Sequence, residues 1–168
     1  VLAYVLDRDA MVGWVRTPSP AEKAFLTGPA RDLPETGRLT GRGDTVSLER
    51  LIAAKPDLVL DFGSVAPTYV SLADRVQSQT GIPYVLIDGR FASTATSLKL
   101  AGDVLGRAER AAVLAAYAEA SFAMVDGVLA RVPADRRPRA YLARGPEGLE
   151  TGSRGSINTE IIERVGAV

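Results

Sequence analysis

The sequence predicts an α/β fold: a parallel sheet flanked by helices, then a long helix, then the start of a second α/β lobe. Three observations carry this expectation. Short apolar runs of strand length alternate with stretches of helical periodicity, which is the pattern of a sheet covered by its own crossover helices. Proline and glycine close several of these runs, as Pro56, Gly81, Gly106 and Pro133 do. The stretch 107–132 keeps a helical rhythm far longer than any other.

The elements follow in order. Val1 to Leu6 reads as a helix joined midway, and Met11-Val-Gly-Trp-Val15 as a strand. Thr17 to Pro34 is proline-rich, with a short helix at Pro20 to Leu26, and Gly37 to Asp44 is a glycine-rich loop. Ser47 is placed to cap a helix carrying Glu49 in its first turn and Leu48, Leu51 and Ile52 at helical spacing. Pro56 stops that helix, and Leu58-Val-Leu60 is a buried strand bounded by acids. Tyr69 to Gln79 forms the next helix, closed by Gly81. Ile82 to Asp88 is a strand with Pro83 near its start, where the missing donor is best tolerated. Ser93 to Leu105 is a helix ended by Gly106.

The 107–132 helix places Leu114, Ala118, Phe122, Val125 and Leu129 at steps of three or four, and nothing before Pro133 breaks it. Its length suits a brace between two lobes. Pro133 to Pro138 then reads as a polar linker, and Arg139 to Ala143 as a fresh strand. The expected division is therefore 1–106 as a ligand-binding lobe, 107–132 as the interlobe helix, and 133–168 as the start of a truncated second lobe.

Composition excludes several function classes. The chain is 46% hydrophobic and 24% charged with zero formal net charge, so no basic surface for nucleic acid is indicated. No apolar run approaches the roughly 20 residues of a membrane span. The chain has neither cysteine nor histidine, which removes disulfides, thiolate metal sites, the commonest general base and the commonest metal ligand. Gly41-Arg-Gly43 and Gly145-Pro-Glu-Gly148 do not make a dinucleotide fingerprint, and no phosphate-loop lysine follows a glycine run. Arg42-Gly-Asp44 spells an adhesion tripeptide that arises readily by chance. Asp61 and Asp88 lie at strand ends, where acids more often cap the next segment than act as an acid–base pair.

The wording Leu48-Glu, then Lys55-Pro-Asp-Leu-Val59, resembles a motif of the substrate-binding proteins of ABC importers for iron–siderophore, haem and cobalamin. Met11-Val-Gly-Trp14, Leu39-Thr-Gly41, Gly81-Ile-Pro-Tyr-Val85, Leu105-Gly106, Glu109-Arg-Ala111, Arg139-Ala-Tyr-Leu142, Gly152 and Ser156-Ile-Asn158 follow the family's order and spacing. The resemblance implies two lobes joined by one long helix, with the first strand missing upstream and most of the second lobe missing downstream.

A cleft then falls beyond the carboxyl ends of the strands, between the lobes. The expected ligand-binding residues are Trp14, Arg16, Arg38, Arg42, Phe62, Ser64, Tyr69, Arg90 and Arg144. Guanidinium groups grip carboxylates and other oxyanions by paired hydrogen bonds, so the arginines suit an anionic ligand. Trp14, Phe62 and Tyr69 suit the flat, partly apolar face of a metal chelate, although Trp14 is equally placed to be a core residue. Tyr69 is also placed to act as an axial phenolate for haem.

The resemblance implies an extracytoplasmic substrate-binding component of an ABC importer, not an enzyme. Its expected cargo is a small-molecule metal chelate, a ferric siderophore first, delivered to an ABC permease in the membrane. Haem, cobalamin and oxyanions remain open. No cofactor and no nucleic-acid partner is expected, and the full-length protein is expected to be monomeric. The location is periplasmic or otherwise extracytoplasmic, with lipid anchoring open and no signal peptide in this chain. The family's docking glutamate has no counterpart between Thr68 and Asp74, leaving Glu22 as a positional alternative. The competing reading is an α/β enzyme acting on a small anionic substrate.

Overall fold

The computed structural model describes residues 2–37 and 48–167. Ser47, Arg38, Arg42 and most of the glycine-rich loop lie outside the described residues.

Helix α1 (Leu2–Asp7) leads into a turn and then the extended segment around Trp14. Helix α2 (Pro20–Lys23) is short but fully capped. Ser19 and Glu22 exchange side-chain and main-chain bonds there, and Pro20 stands at a first-turn position that needs no N–H. Helix α3 (Leu48–Ala54) ends before Pro56, with Lys55 forced to a φ of 47° at the turn. Strand β1 (Val59–Gly63) follows, then helix α4 (Pro67–Thr80), which closes on Gly81 in the left-handed conformation. Strand β2 (Tyr84–Asp88) leads through a tight turn into helix α5 (Thr94–Val104).

Strands β1 and β2 pair in parallel, with Val59 opposite Tyr84 and Gly63 opposite Asp88. Helices α4 and α5 both contact β2, as expected for parallel strands that must be joined by crossover helices. The core gathers Leu6, Ile87 and Ala101, with Leu2, Leu60, Val85 and Leu105 against it.

Helix α6 (Ala108–Leu129) is a single unbroken rod outside α5. Small residues set their separation: a Cβ added to Gly102 would stand 2.2 Å from the Ala111 Cβ. Ala111 and Ala115 are buried at this seam. The layers therefore run sheet, α5, α6. Helix α7 (Glu160–Arg164) reaches back to this body. Its Arg164 pairs with Asp126 at 2.6 Å and lies over the Phe122 ring, and the Phe122 ring meets that of Phe91 at 4.8 Å.

Three sequence expectations are corrected. Met11–Val15 is not a ladder strand; Trp14 alone makes a parallel bridge to Glu35. Arg139–Ala143 is not a strand either, and the extended chain there closes only an antiparallel bridge between Arg144 and Glu150. The physical reason is common to both: an apolar run becomes a strand only when a neighbour satisfies its main chain. Finally, α6 is long and apolar enough, by length and composition alone, to cross a membrane. Glu119 and Asp126 interrupt its apolar runs, and both make ion pairs, with Lys99 and Arg164.

Candidate functional site

The β1–β2 register brings together the carboxyl ends of the two strands. Gly89 donates its N–H to the Gly63 carbonyl at 2.7 Å, so Phe62-Gly-Ser64 and Asp88-Gly-Arg90 run side by side. The approach is close enough to require glycine: a Cβ on Gly89 would lie 2.8 Å from the Gly63 Cα. Phe62 is exposed at this edge. Ser64 Oγ accepts the Ala66 N–H at 3.3 Å and shapes the turn into α4, whose first turn carries the half-buried Tyr69.

Arg90 is held by Asp88. Its Nε donates to both carboxylate oxygens, at 3.1 and 2.9 Å, and Nη2 donates to Oδ2 at 2.6 Å. The Arg90 guanidinium, and then the main-chain and Ser93 hydrogen bonds, hold the Asp88 carboxyl well below the usual carboxylate range. The same pairing raises Arg90 above its ordinary value, with Glu160 adding a weaker attraction. Glu160 also accepts the Phe91 N–H, tying the 133–168 segment to the end of β2. Ser97 Oγ donates to the Asp88 carbonyl at 2.6 Å. The β2 end of the edge is thus braced, with the exposed Phe62 on the neighbouring strand and the Arg90 guanidinium held by Asp88.

The remaining expected residues sit elsewhere in the packing. The Trp14 indole donates to the Ala30 carbonyl at 2.6 Å, and its ring lies 5.9 Å from that of Tyr4. That ties the 29–32 turn to α1. Arg16 forks onto Glu22 at 3.0 and 2.6 Å. Arg16, then the Ser19 bonds, lower Glu22 from an ordinary 4.5 to about 2. Both Glu22 oxygens are therefore engaged by Arg16 and the start of its own helix. Arg144 is exposed beside its bridge to Glu150. Arg38 and Arg42 lie outside the described residues.

Two of these partnerships were missed in the sequence. Ser19-Pro-Ala-Glu22 is a legible capping box, and it would have warned that Glu22 was committed. The Glu160–Phe91 contact spans 69 positions and has no local signal.

A cavity of about 420 Å³ lies away from this edge. Val12, Gly13, Val15, Val59, Leu60, Val104 and Leu105 are among the residues that line it. None of the seven described residues expected to bind ligand lines it. Its chemistry differs too. Val59 donates to Pro83 at 2.8 Å, so in a parallel ladder Val59, Asp61 and Gly63 turn their main chain to β2, and Leu60 turns its main chain to the cavity side. Trp14 likewise spends its N–H and carbonyl on Pro34 and Thr36, at 2.9 and 2.7 Å, leaving Gly13 and Val15 facing the other way. The cavity thus offers apolar walls and main-chain groups, the requirements of an extended strand. At its polar end Tyr84 donates to Asp61 at 2.8 Å. Burial, and then that bond, push the Tyr84 phenol upward.

No protein-family model matches the chain, and no curated protein does. Among solved structures, the chain is similar to an ABC transporter solute binding protein from Sulfurospirillum deleyianum, with 23% identity and a TM-score of 0.85. The match covers 99% of this chain and 52% of that one. It is also similar to the periplasmic heme-binding protein BhuT in complex with two hemes, at 22% identity and a TM-score of 0.62, over 98% of this chain and 63% of that one. A third, described as a possible iron-binding periplasmic solute-binding protein from Staphylococcus epidermidis, shares 16% identity with a TM-score of 0.63, over 99% of this chain and 61% of that one. The chain therefore has the fold of ABC transporter solute-binding proteins, and it spans only about half to three fifths of the solved chains it matches. These neighbours are binding proteins rather than enzymes.

Proposed function

We propose that this chain forms the first ligand-binding wall of an extracytoplasmic solute-binding component of an ABC importer, with a metal chelate as cargo and a ferric siderophore as the best-fitting one. The whole protein would hand that cargo to a membrane permease. The observation that carries the reading is the carboxyl edge of the sheet, where the register runs Phe62-Gly-Ser64 beside Asp88-Gly-Arg90 and Tyr69 follows in the first turn of α4. Ligands of open parallel sheets sit at that edge. An exposed ring matches the apolar face of a chelate, and a guanidinium matches its anionic oxygens. With no histidine or cysteine in the sequence, a metal already wrapped in organic oxygens is a better match than a bare transition-metal ion. Neighbours described as heme- and iron-binding support the same cargo class. Arg38, Arg42 and Arg144 remain proposed contacts from the loop and from the other wall.

Titration with a ferric tris-catecholate, followed by quenching of the single tryptophan, tests this, with hemin as the comparison ligand. Saturable binding is expected, weakened about tenfold, or ~1.4 kcal/mol, by Phe62→Ala and by Arg90→Ala. Binding indifferent to both substitutions would remove this edge from the site. Tighter saturation by hemin would move the cargo to haem.

A further inference from the structure

The outer face of α6 is unusual. Val113, Tyr117, Met124 and Val128 are 62, 75, 68 and 49% exposed. At 3.6 residues per turn these four fall within an arc of roughly 60° over about 22 Å. Ala111 and Ala115, on the opposite face, are buried at the α5 seam. Phe122, Asp126 and Leu129, which meet Phe91, Arg164 and Gly166, lie on that inner side as well. Neither the sheet side nor the 133–168 segment therefore covers the stripe.

The spacing identifies what does. Steps of four, seven and four read the same in both directions about Ala120–Ser121. That symmetry is the one a helix face needs to meet a second copy of itself about a two-fold axis. We propose that α6 pairs with α6 of a second copy of this chain, antiparallel, about a two-fold axis at Ala120 and Ser121. Val113 of one copy then faces Val128 of the other, and Tyr117 faces Met124, a ring-to-thioether contact. Ala116, Ala120 and Gly127 flank the stripe, and Gly127 opens onto empty space, so the helices can approach closely. The exposed Glu109 and Arg131 lie near opposite ends of this face, and the antiparallel arrangement sets each beside its opposite charge. Arg110, whose like-charged counterpart would oppose it, is turned back to donate to the Val5 carbonyl at 3.3 Å.

This departs from the expected monomer and does not depend on what the carboxyl edge binds. Because the stripe lies on the face of α6 opposite the buried Ala111 and Ala115, pairing leaves that edge free. One helix face is a small interface, so association in the micromolar range is expected.

Sedimentation velocity on this chain between about 1 and about 200 µM tests the proposal. A reversible dimer is expected, weakened at least about tenfold by Tyr117→Glu and by Met124→Glu, with circular dichroism unchanged because both side chains are exposed. The chain has no cysteine, so Ala120→Cys, at the axis, should form a disulfide-linked dimer, whereas Val113→Cys, far from its own counterpart, should not. A monomer at every concentration would overturn the pairing, as would a dimer unaffected by either glutamate or equal cross-linking at 113 and 120. Binding to phosphatidylcholine vesicles that the same glutamates abolish would assign the face to a membrane instead, and would equally overturn it.

Discussion

The carboxyl edge of the sheet and the cavity beside β1 are built on the same two strands and offer opposite chemistry. The edge presents side chains: the Phe62 ring, the Ser64 hydroxyl and an Arg90 guanidinium steered by Asp88. The cavity presents largely apolar walls and main-chain groups, with Asp57, Asp61 and Tyr84 among its polar lining. Among the described residues the outer edge of β1 pairs with no strand and faces the cavity, whereas the carboxyl edge, where we propose the ligand binds, carries a guanidinium orientated by Asp88.

Ile87, on β2, is 1% exposed in the core against which Leu60 of β1 packs. Ile87→Ala should cost about 2–5 kcal/mol in chemical denaturation and weaken edge and cavity alike. A loss below that range would mean the two regions do not share a core. Gly89→Ala separates them. Its methyl would press on the Gly63 Cα, so a loss of about 1–3 kcal/mol is expected, together with weakened chelate binding. Amide exchange around Gly13 and Val15, across the cavity, should stay unchanged; faster exchange there would show that the regions are coupled.

The smallest effect belongs to the Arg16–Glu22 corner, outside both regions. Glu22 has its folded pKa lowered from 4.5 to about 2, so its contribution is present above about pH 4.5 and lost as pH falls towards 2. Glu22→Gln should flatten the decline of melting temperature across that window and change little at pH 7. An unaltered acid slope would show that the fork with Arg16 contributes nothing to stability, as exposed pairs often do.

Much of the fold could be read from the sequence wherever the signal was local. Pro56, Gly81 and Gly106 punctuated the helices, and the apolar runs before Asp61 and Asp88 became β1 and β2 because each supplied the other's partner. Met11–Val15 and Arg139–Ala143 carried similar runs but found only single bridges, since pairing is a property of the neighbour and not of the run. At the edge, the glycines and the Phe62–Tyr69 stretch were visible in advance. That Arg16 and Arg90 would each be claimed by a carboxylate was not, because a guanidinium's position says nothing about its partner. Arg90 stays exposed in that grip; Arg16 spends its fork on Glu22 of α2.

The most direct test of the central claim is amide chemical-shift mapping of this chain with a gallium(III) chelate, a diamagnetic stand-in for the ferric one. The expected result is saturable shifts at Phe62, Ser64, Tyr69 and Arg90, with Val12, Gly13, Val15 and Leu60 unmoved. Shifts concentrated around the cavity, or none at either place, would contradict it.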